Sequence, residues 1–151
     1  MRKLLLISFV LFSLVGNTAW AGMIAGRFGT KFNDYLSGEI RIAYGAGSDS
    51  VTALGQEVDV KLNRMYGIYL RGGFPASDYF YPYVALGLSN GKVTASVNGF
   101  SASDSESDNS FGIGAEFEVG EDQIFNFEYM SYLDKNGVEI NGFSLGFISY
   151  F

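Results

Sequence analysis

Apolar and polar residues alternate one for one through most of the sequence beyond residue 21. In the segment 36–45, for example, Ile40 and Ile42 fall on one face, while Glu39 and Arg41 fall on the other. A period of two residues is that of a β-strand, whose side chains point to opposite faces in turn. Because no segment shows a comparable helical period, the sequence predicts an all-β fold. Seven segments carry the alternation: 24–32, 36–45, 59–74, 80–89, 110–119, 124–133 and 142–151.

The connections between these segments alternate in length. Three are tight, at 33–35, 75–78 and 120–123, and two are longer, at 47–57 and 90–109. The segment 134–137 is an exception, because it is a tight turn where a longer loop is due. Short turns at one end and longer loops at the other are typical of an antiparallel up-and-down β-barrel in an outer membrane.

The first 21 residues have the composition of a secretory signal peptide. Arg2 and Lys3 form a positive start, residues 4–16 are uncharged and mostly apolar, and Ala19 and Ala21 place small residues at a cleavage point. The apolar run is shorter than the roughly 20 residues of a membrane-spanning helix. We therefore predict a cleaved signal peptide at 1–21, an exported protein, and a barrel domain at 22–151.

Two kinds of barrel fit the alternation: a soluble periplasmic ligand-binding barrel with its apolar face inside, and a transmembrane barrel with its apolar face in lipid. The polar faces favour the second, because they hold five cations and five anions. An enclosed lumen needs that balance, since an unpaired buried charge costs several kcal/mol. The predicted lumen ion-pair network is Arg27, Lys31, Glu39, Arg41, Asp59, Lys61, Arg71, Glu116, Glu118 and Glu128.

Composition removes several kinds of chemistry. The chain has no histidine and no cysteine, which excludes a disulfide framework, a metal site built on those residues, and catalysis by either. Its net charge of −6 gives no electrostatic footprint for nucleic acid. We therefore predict no enzyme activity, no catalytic residue, no cofactor, no metal site and no nucleic-acid partner.

Two groups of carboxylates could carry chemistry of another kind. Glu116, Glu118 and Glu128 could form a carboxylate pair, but the polar faces of the strands together also carry five cations, so ion pairing is favoured over carboxylate catalysis. Asp104, Glu106 and Asp108 alternate with serines, but they lack the glycine and the distal glutamate of an EF-hand loop. We interpret them as a solvated acidic loop.

Four stretches carry a likeness to a known family: 28–39, 62–73, 81–87 and 142–147. On these the chain resembles the small outer-membrane β-barrel family, the OmpA/OmpX/Ail-like group often labelled "porin family". The resemblance implies eight strands, whereas the pattern locates seven. Three explanations stay open: the first strand is absent from this chain, part of the signal region stands in for it, or one strand escapes the pattern.

The last predicted strand alternates and ends on an aromatic residue. This arrangement resembles the signal by which the outer-membrane assembly machinery recognises its clients. The predicted assembly signal consists of Phe143, Leu145, Phe147 and Phe151.

Together these features predict an integral protein of the cell outer membrane, with a lumen plugged by ion pairs. Its expected role is envelope structure or adhesion-like surface interaction through the loops at 47–57 and 90–109. A narrow channel for ions or small solutes is the alternative function, and a soluble periplasmic carrier is less favoured. The expected partners are outer-membrane lipid and lipopolysaccharide, the assembly machinery, and a surface partner at the loops.

Overall fold

The computed structural model describes residues 3–14, 19–45, 49–53, 55–121, 123–135 and 138–150. No helix within these ranges is long and apolar enough to cross a membrane. The described residues form nine strands: β1 (Lys3–Leu14), β2 (Ala19–Lys31), β3 (Leu36–Gly45), β4 (Asp49–Ala53), β5 (Gln56–Gly73), β6 (Phe80–Val97), β7 (Phe100–Gly120), β8 (Gln123–Lys135) and β9 (Val138–Tyr150).

Eight of the strands form a closed antiparallel barrel. Consecutive barrel strands pair with each other, β3 pairs with β5, and β1 pairs with β9 to complete the ring. The short β4 lies outside the ring and pairs only with the beginning of β5. The predicted up-and-down transmembrane barrel of eight strands is therefore confirmed.

The strand that the pattern did not locate is β1. It pairs with β2 and with β9 along nearly its whole length, so that Ile7 lies opposite both Gly26 and Phe147. Residues of the predicted signal region thus occupy the place of the first strand, which corrects the count of seven. Cleavage after Ala21 remains a prediction, and a chain cleaved there would lack β1.

The predicted long loop at 90–109 is instead a continuous β-hairpin. β6 and β7 are 18 and 21 residues long, whereas a tilted strand crosses a bilayer in roughly 9–11 residues. Their projecting ends are joined by a two-residue turn at Asn98 and Gly99, with φ of 48° and 82°. The loop at 47–57 is likewise largely paired, because β4 and the start of β5 form a second hairpin.

The apolar strand faces point outward. Phe111, Phe117 and Phe127 are 62%, 41% and 41% exposed, whereas Arg41 and Glu116 are each 3% exposed. A continuous exposed surface of this kind is unsuited to water, and it matches the lipid-facing band of an outer-membrane barrel. Exposed Tyr66 of β5 and exposed Phe74, which directly follows β5, mark the two edges of this band. With roughly 3.4 Å per residue and a strand tilt of roughly 40°, they lie roughly 21 Å apart along the membrane normal.

A β-bulge near the start of β5 reverses the two faces of that strand. The register with β6 shifts between Leu62 and Arg64. As a result Leu62 is fully buried inside the barrel, while Arg64 and Tyr66 both face outward. The alternation had placed Leu62 and Tyr66 on one face, and an inserted residue of this kind changes the phase between them.

Candidate functional site in the barrel interior

Three arginines and three glutamates meet inside the barrel, on five different strands. Each lies at an inward position because its neighbours along the strand face lipid, as Ile40 does between Glu39 and Arg41. All six are buried, and their numbers balance. They are Arg27 on β2, Glu39 and Arg41 on β3, Arg71 on β5, Glu116 on β7 and Glu128 on β8.

Glu128 is the centre of the cluster. Arg41 donates to both of its carboxylate oxygens, from Nη1 at 2.5 Å and from Nη2 at 2.9 Å. Arg27 Nη2 donates to Glu128 Oε1 at 3.0 Å, and the Tyr83 hydroxyl donates to Oε2 at 2.7 Å. One carboxylate therefore binds two guanidinium groups and a phenol, which satisfies both of its oxygens away from water.

Polar side chains hold Arg27 in place across the barrel. Its Nη2 also donates to Ser144 Oγ at 2.7 Å, and its Nη1 donates to Asn126 Oδ1 at 3.4 Å. Asn126 Nδ2 in turn donates to the Tyr83 hydroxyl at 2.8 Å. These bonds tie β2 to β6, β8 and β9 through the interior.

The chain of ion pairs continues to the other side of the lumen. Glu39 pairs with Arg41, and it also pairs with Arg71 at 3.4 Å from Nη1 to Oε2. Arg71 pairs with Glu116. The sequence of contacts is Arg27, Glu128, Arg41, Glu39, Arg71 and Glu116.

Two tyrosine rings stack against this chain. The Arg71 guanidinium lies 3.7 Å from the centre of the Tyr83 ring, and the Arg41 guanidinium lies 4.1 Å from the centre of the Tyr69 ring. Such cation–π contacts strengthen when water is excluded. The arginines are therefore held on their faces by aromatic rings and at their edges by carboxylates.

The structure brings together six of the ten charged residues that the sequence assigned to the lumen. Lys31 is half-buried towards the end with tight turns, with its Nζ 5.2 Å from the centre of the Tyr81 ring. Glu118 is exposed near the same end. Asp59 and Lys61 lie on the exterior and are exposed, because the bulge in β5 turns their side of the strand outward.

An apolar layer that the alternation does not predict lies in the half of the barrel nearer the projecting hairpins. Leu62 and Met65 of β5 pack there with Met130 and Tyr132 of β8, all 4% exposed or less. The reversed phase of β5 hid this layer, because alternation alone places Leu62 in the lipid.

The uncharged members of the site were also missed. Tyr69, Tyr83 and Asn126 occupy polar-face positions of their strands but carry no charge at neutral pH. The signal that points to them is a tyrosine or amide on the face opposite the aliphatic residues. A buried hydroxyl or amide at such a position needs a hydrogen-bond partner inside.

Glycines on the inner face make room for these side chains. A Cβ at Gly114 would overlap the ring and hydroxyl of Tyr83, and one at Gly112 would overlap the sulfur of Met130. Glycine at these two positions therefore leaves the space that the long side chains need in a narrow interior.

The predicted assembly-signal residues lie at the lipid face where the structure describes them. Phe143, Leu145 and Phe147 of β9 are 43%, 49% and 65% exposed. Phe151 lies outside the described residues. Recognition by the assembly machinery remains a prediction.

The amino-acid sequence matches a known protein family over almost its whole length. The family model of the outer membrane protein beta-barrel domain matches residues 7–151. The chain belongs to this family. The protein is therefore an outer-membrane β-barrel of the kind found in Gram-negative bacteria, and the resemblance of the sequence to that group is confirmed.

Solved structures show the same fold at low sequence identity. The attachment invasion locus protein Ail of Yersinia pestis matches with a TM-score of 0.71 and 16% identity, over 99% of this chain and 98% of that one. Ail in complex with the heparin analogue sucrose octasulfate matches with a TM-score of 0.65, at the same identity and coverage. Neisserial surface protein A matches with a TM-score of 0.70 and 15% identity, over 99% and 96% of the two chains. No curated protein sequence matches the chain.

Proposed function

We propose that this outer-membrane barrel has a closed lumen, is not an enzyme, and serves envelope structure or surface interaction through its projecting hairpins. The observation that carries the proposal is the chain of six buried, charge-balanced side chains that crosses the interior. Each of the six side chains forms an ion pair with at least one side chain of opposite charge. The charged groups of the cluster therefore stabilise the interior of the barrel.

Two successive layers of buried side chains, the ion-paired cluster and the apolar layer, favour a closed lumen over a narrow channel. Eight strands leave an interior just wide enough for side chains to fill. A hydrated ion would have to break the contacts of Glu128 with Arg27 and Arg41, and then displace the apolar layer around Leu62 and Met130. Breaking a buried ion pair costs about 3–5 kcal/mol, so steady conduction is not expected.

Within the part of the chain that the structure describes, the buried hydroxyls and carboxylates of the interior have other partners than a catalytic base. The buried hydroxyls of Tyr69, Ser89 and Ser110 form hydrogen bonds with one another, and Ser110 also donates to the Tyr132 carbonyl at 2.9 Å. A serine nucleophile requires an adjacent base, and the sequence has no histidine. Glu116 and Glu128 are each held by arginine.

Surface interaction is supported by the long β6–β7 hairpin. It extends past the lipid-facing band, and Phe100 next to its turn is 84% exposed. The fold relative Ail was solved with a heparin analogue. We therefore propose an adhesion-like contact with a surface partner at 47–57 and 90–109, together with contacts to lipopolysaccharide.

Planar-bilayer recording of the full chain tests the closed lumen. We expect no steady openings from the wild type. In the variant Glu128→Ala, which removes the carboxylate shared by Arg27 and Arg41, we expect brief openings. The control is Glu118→Ala, which removes an exposed carboxylate. Steady openings of the wild type would favour the narrow channel and contradict the proposal.

A further inference from the structure

Three cations lie together on the exterior of the barrel, just beyond the lipid-facing band. Arg64 of β5 lies directly opposite Lys92 of β6 in the strand register, and Lys61 lies opposite Thr94 one level further out. Arg64 and Lys61 are exposed, and Lys92 is half-buried. They form a single basic patch on the face that meets the membrane and its surface.

The bulge in β5 creates this patch. Strict alternation would place Arg64 on the same face as Leu62, which is fully buried inside the barrel. The register shift between these two residues brings Arg64 to the exterior beside Lys92. Asn63, the residue between them, donates from Nδ2 to Thr94 Oγ1 at 3.1 Å and so braces the bulge. Bulges commonly re-aim a side chain in this way.

Asp59 lies on the same exterior face as Lys61, two residues away, but the directly opposed pair Arg64 and Lys92 has no ion-pair partner among the described residues. Like charges directly opposite each other destabilise a sheet. In the interior every arginine of the cluster is paired with a glutamate, yet no carboxylate of the described residues forms an ion pair with Lys61, Arg64 or Lys92. An anion bound between these cations would relieve their repulsion, which points to a ligand rather than to a structural role.

The height of the patch identifies the class of anion. The last aliphatic pair of these two strands is Ile68 opposite Leu88, and the Arg64–Lys92 pair lies four residues further out. At roughly 3.4 Å per residue and a tilt of roughly 40°, the cations lie roughly 10 Å beyond that pair. Tyr44, which is 64% exposed, lies opposite Arg64 on β3. An exposed tyrosine ring is typical of the membrane interface, so the cations are at the level of lipid headgroups.

Hydroxyl groups continue the same face away from the membrane. Thr94 shares a hydrogen bond with Ser103 at 2.8 Å, and Ser96 shares one with Ser101 at 3.0 Å. Ser105 lies opposite Lys92. A flat row of hydroxyls beside a basic patch suits a ligand that carries phosphate on sugar.

We infer that Lys61, Arg64 and Lys92 bind the phosphate groups of lipopolysaccharide in the outer leaflet. The inference rests on the proposed contact with lipopolysaccharide and assigns it a site. β5 begins in the β4–β5 hairpin, and β6 ends in the β6–β7 hairpin. Both hairpins lie at the end of the barrel opposite the tight turns. That end faces the outer leaflet, where this glycolipid places phosphates beside sugar. Charge-assisted contacts from arginine and lysine to phosphate are among the stronger hydrogen bonds.

Binding of purified lipopolysaccharide to the full chain in detergent micelles tests the site. We expect Lys92→Gln to weaken binding about tenfold and the double variant Arg64→Gln with Lys92→Gln to weaken it further. Lys135→Gln is the matched control, because Lys135 ends β8, away from the patch in the strand order. Arg64→Lys keeps the charge and should bind nearly as the wild type does. All four variants must show the wild-type circular dichroism.

Two further ligands make the outcome specific. Lipopolysaccharide stripped of its phosphates should bind the wild type as weakly as intact lipopolysaccharide binds the double variant. Equal binding of intact lipopolysaccharide by the wild type and the double variant would overturn the inference. So would sucrose octasulfate binding that depends on the patch while lipopolysaccharide binding does not. These variants leave the interior unchanged, so a failure here with wild-type bilayer behaviour would not touch the closed-lumen proposal.

Discussion

The variant Glu128→Gln removes one charge from the centre of the interior cluster and changes almost no volume. Arg27 and Arg41 would then face an amide in place of a carboxylate they share. The new NH₂ group would point a donor at donors of Arg41 or of Tyr83, because both glutamate oxygens accept hydrogen bonds. The interior would carry one uncompensated positive charge.

The expected loss of stability follows from this one uncompensated charge. Breaking a buried ion pair while leaving its partner in place costs about 3–5 kcal/mol. We expect the free energy of unfolding of Glu128→Gln to fall by about that amount. Glu118→Gln makes the same chemical change at an exposed position, and we expect it to stay within about 0.5 kcal/mol of the wild type.

Urea titration in phospholipid vesicles measures both values, with folded and unfolded barrels separated by their gel mobility. A double variant, Arg41→Gln with Glu128→Gln, adds a coupling term. Its destabilisation should be smaller than the sum of the two single variants, because each single change leaves an unpaired charge. If Glu128→Gln were as stable as Glu118→Gln, the reasoning from buried charge would be refuted.

Three further predictions concern packing, closure and the hairpin. Gly114→Ala should destabilise the barrel by about 1–3 kcal/mol in the same titration, because its Cβ overlaps Tyr83, whereas Gly72→Ala, whose Cβ meets open space, should have little effect. If β1 closes the barrel, the chain without residues 1–21 should not reach the folded gel mobility, because β2 and β9 would present unpaired edges to lipid; a folded monomer would disprove that role of β1 and agree with cleavage after Ala21. Deleting 94–103 should leave the urea midpoint nearly unchanged but remove any partner binding at the hairpin tip, and a large loss of stability would show that the hairpin supports the barrel.

Alternation predicted much of the fold because each strand has one face in lipid and one in a packed interior. Phe111 and Glu116 illustrate this: they fall on opposite faces of β7 in the pattern and on opposite sides of the wall in the structure. The balance of charges on the inner faces likewise predicted ion pairing before any contact was known.

The features that escaped the sequence depend on partners far along the chain. The bulge at Arg64 is a property of the register between β5 and β6, and a phase break in one strand does not say which face each half takes. Residues 4–12 are apolar at both odd and even positions apart from Ser8, so β1 has no alternation, and its composition is that of a signal peptide. Alternation also predicts which face of a strand a side chain occupies, but not its position along the barrel axis. The ion pair between Arg27 and Glu128, which are 101 residues apart, could therefore not be predicted from the sequence.

Water access to the interior tests the closed lumen most directly, and the absence of cysteine from the chain makes it simple to measure. Ser144→Cys places a thiol beside Arg27 in the interior, where Ser144 is 1% exposed, and Ser107→Cys places one on the exposed hairpin. With a small water-soluble thiol reagent, a thiol protected by about 3 kcal/mol of opening energy reacts roughly a hundredfold more slowly than a free one. A ratio of that size or greater is the predicted result. Comparable rates at the two positions would contradict a closed lumen.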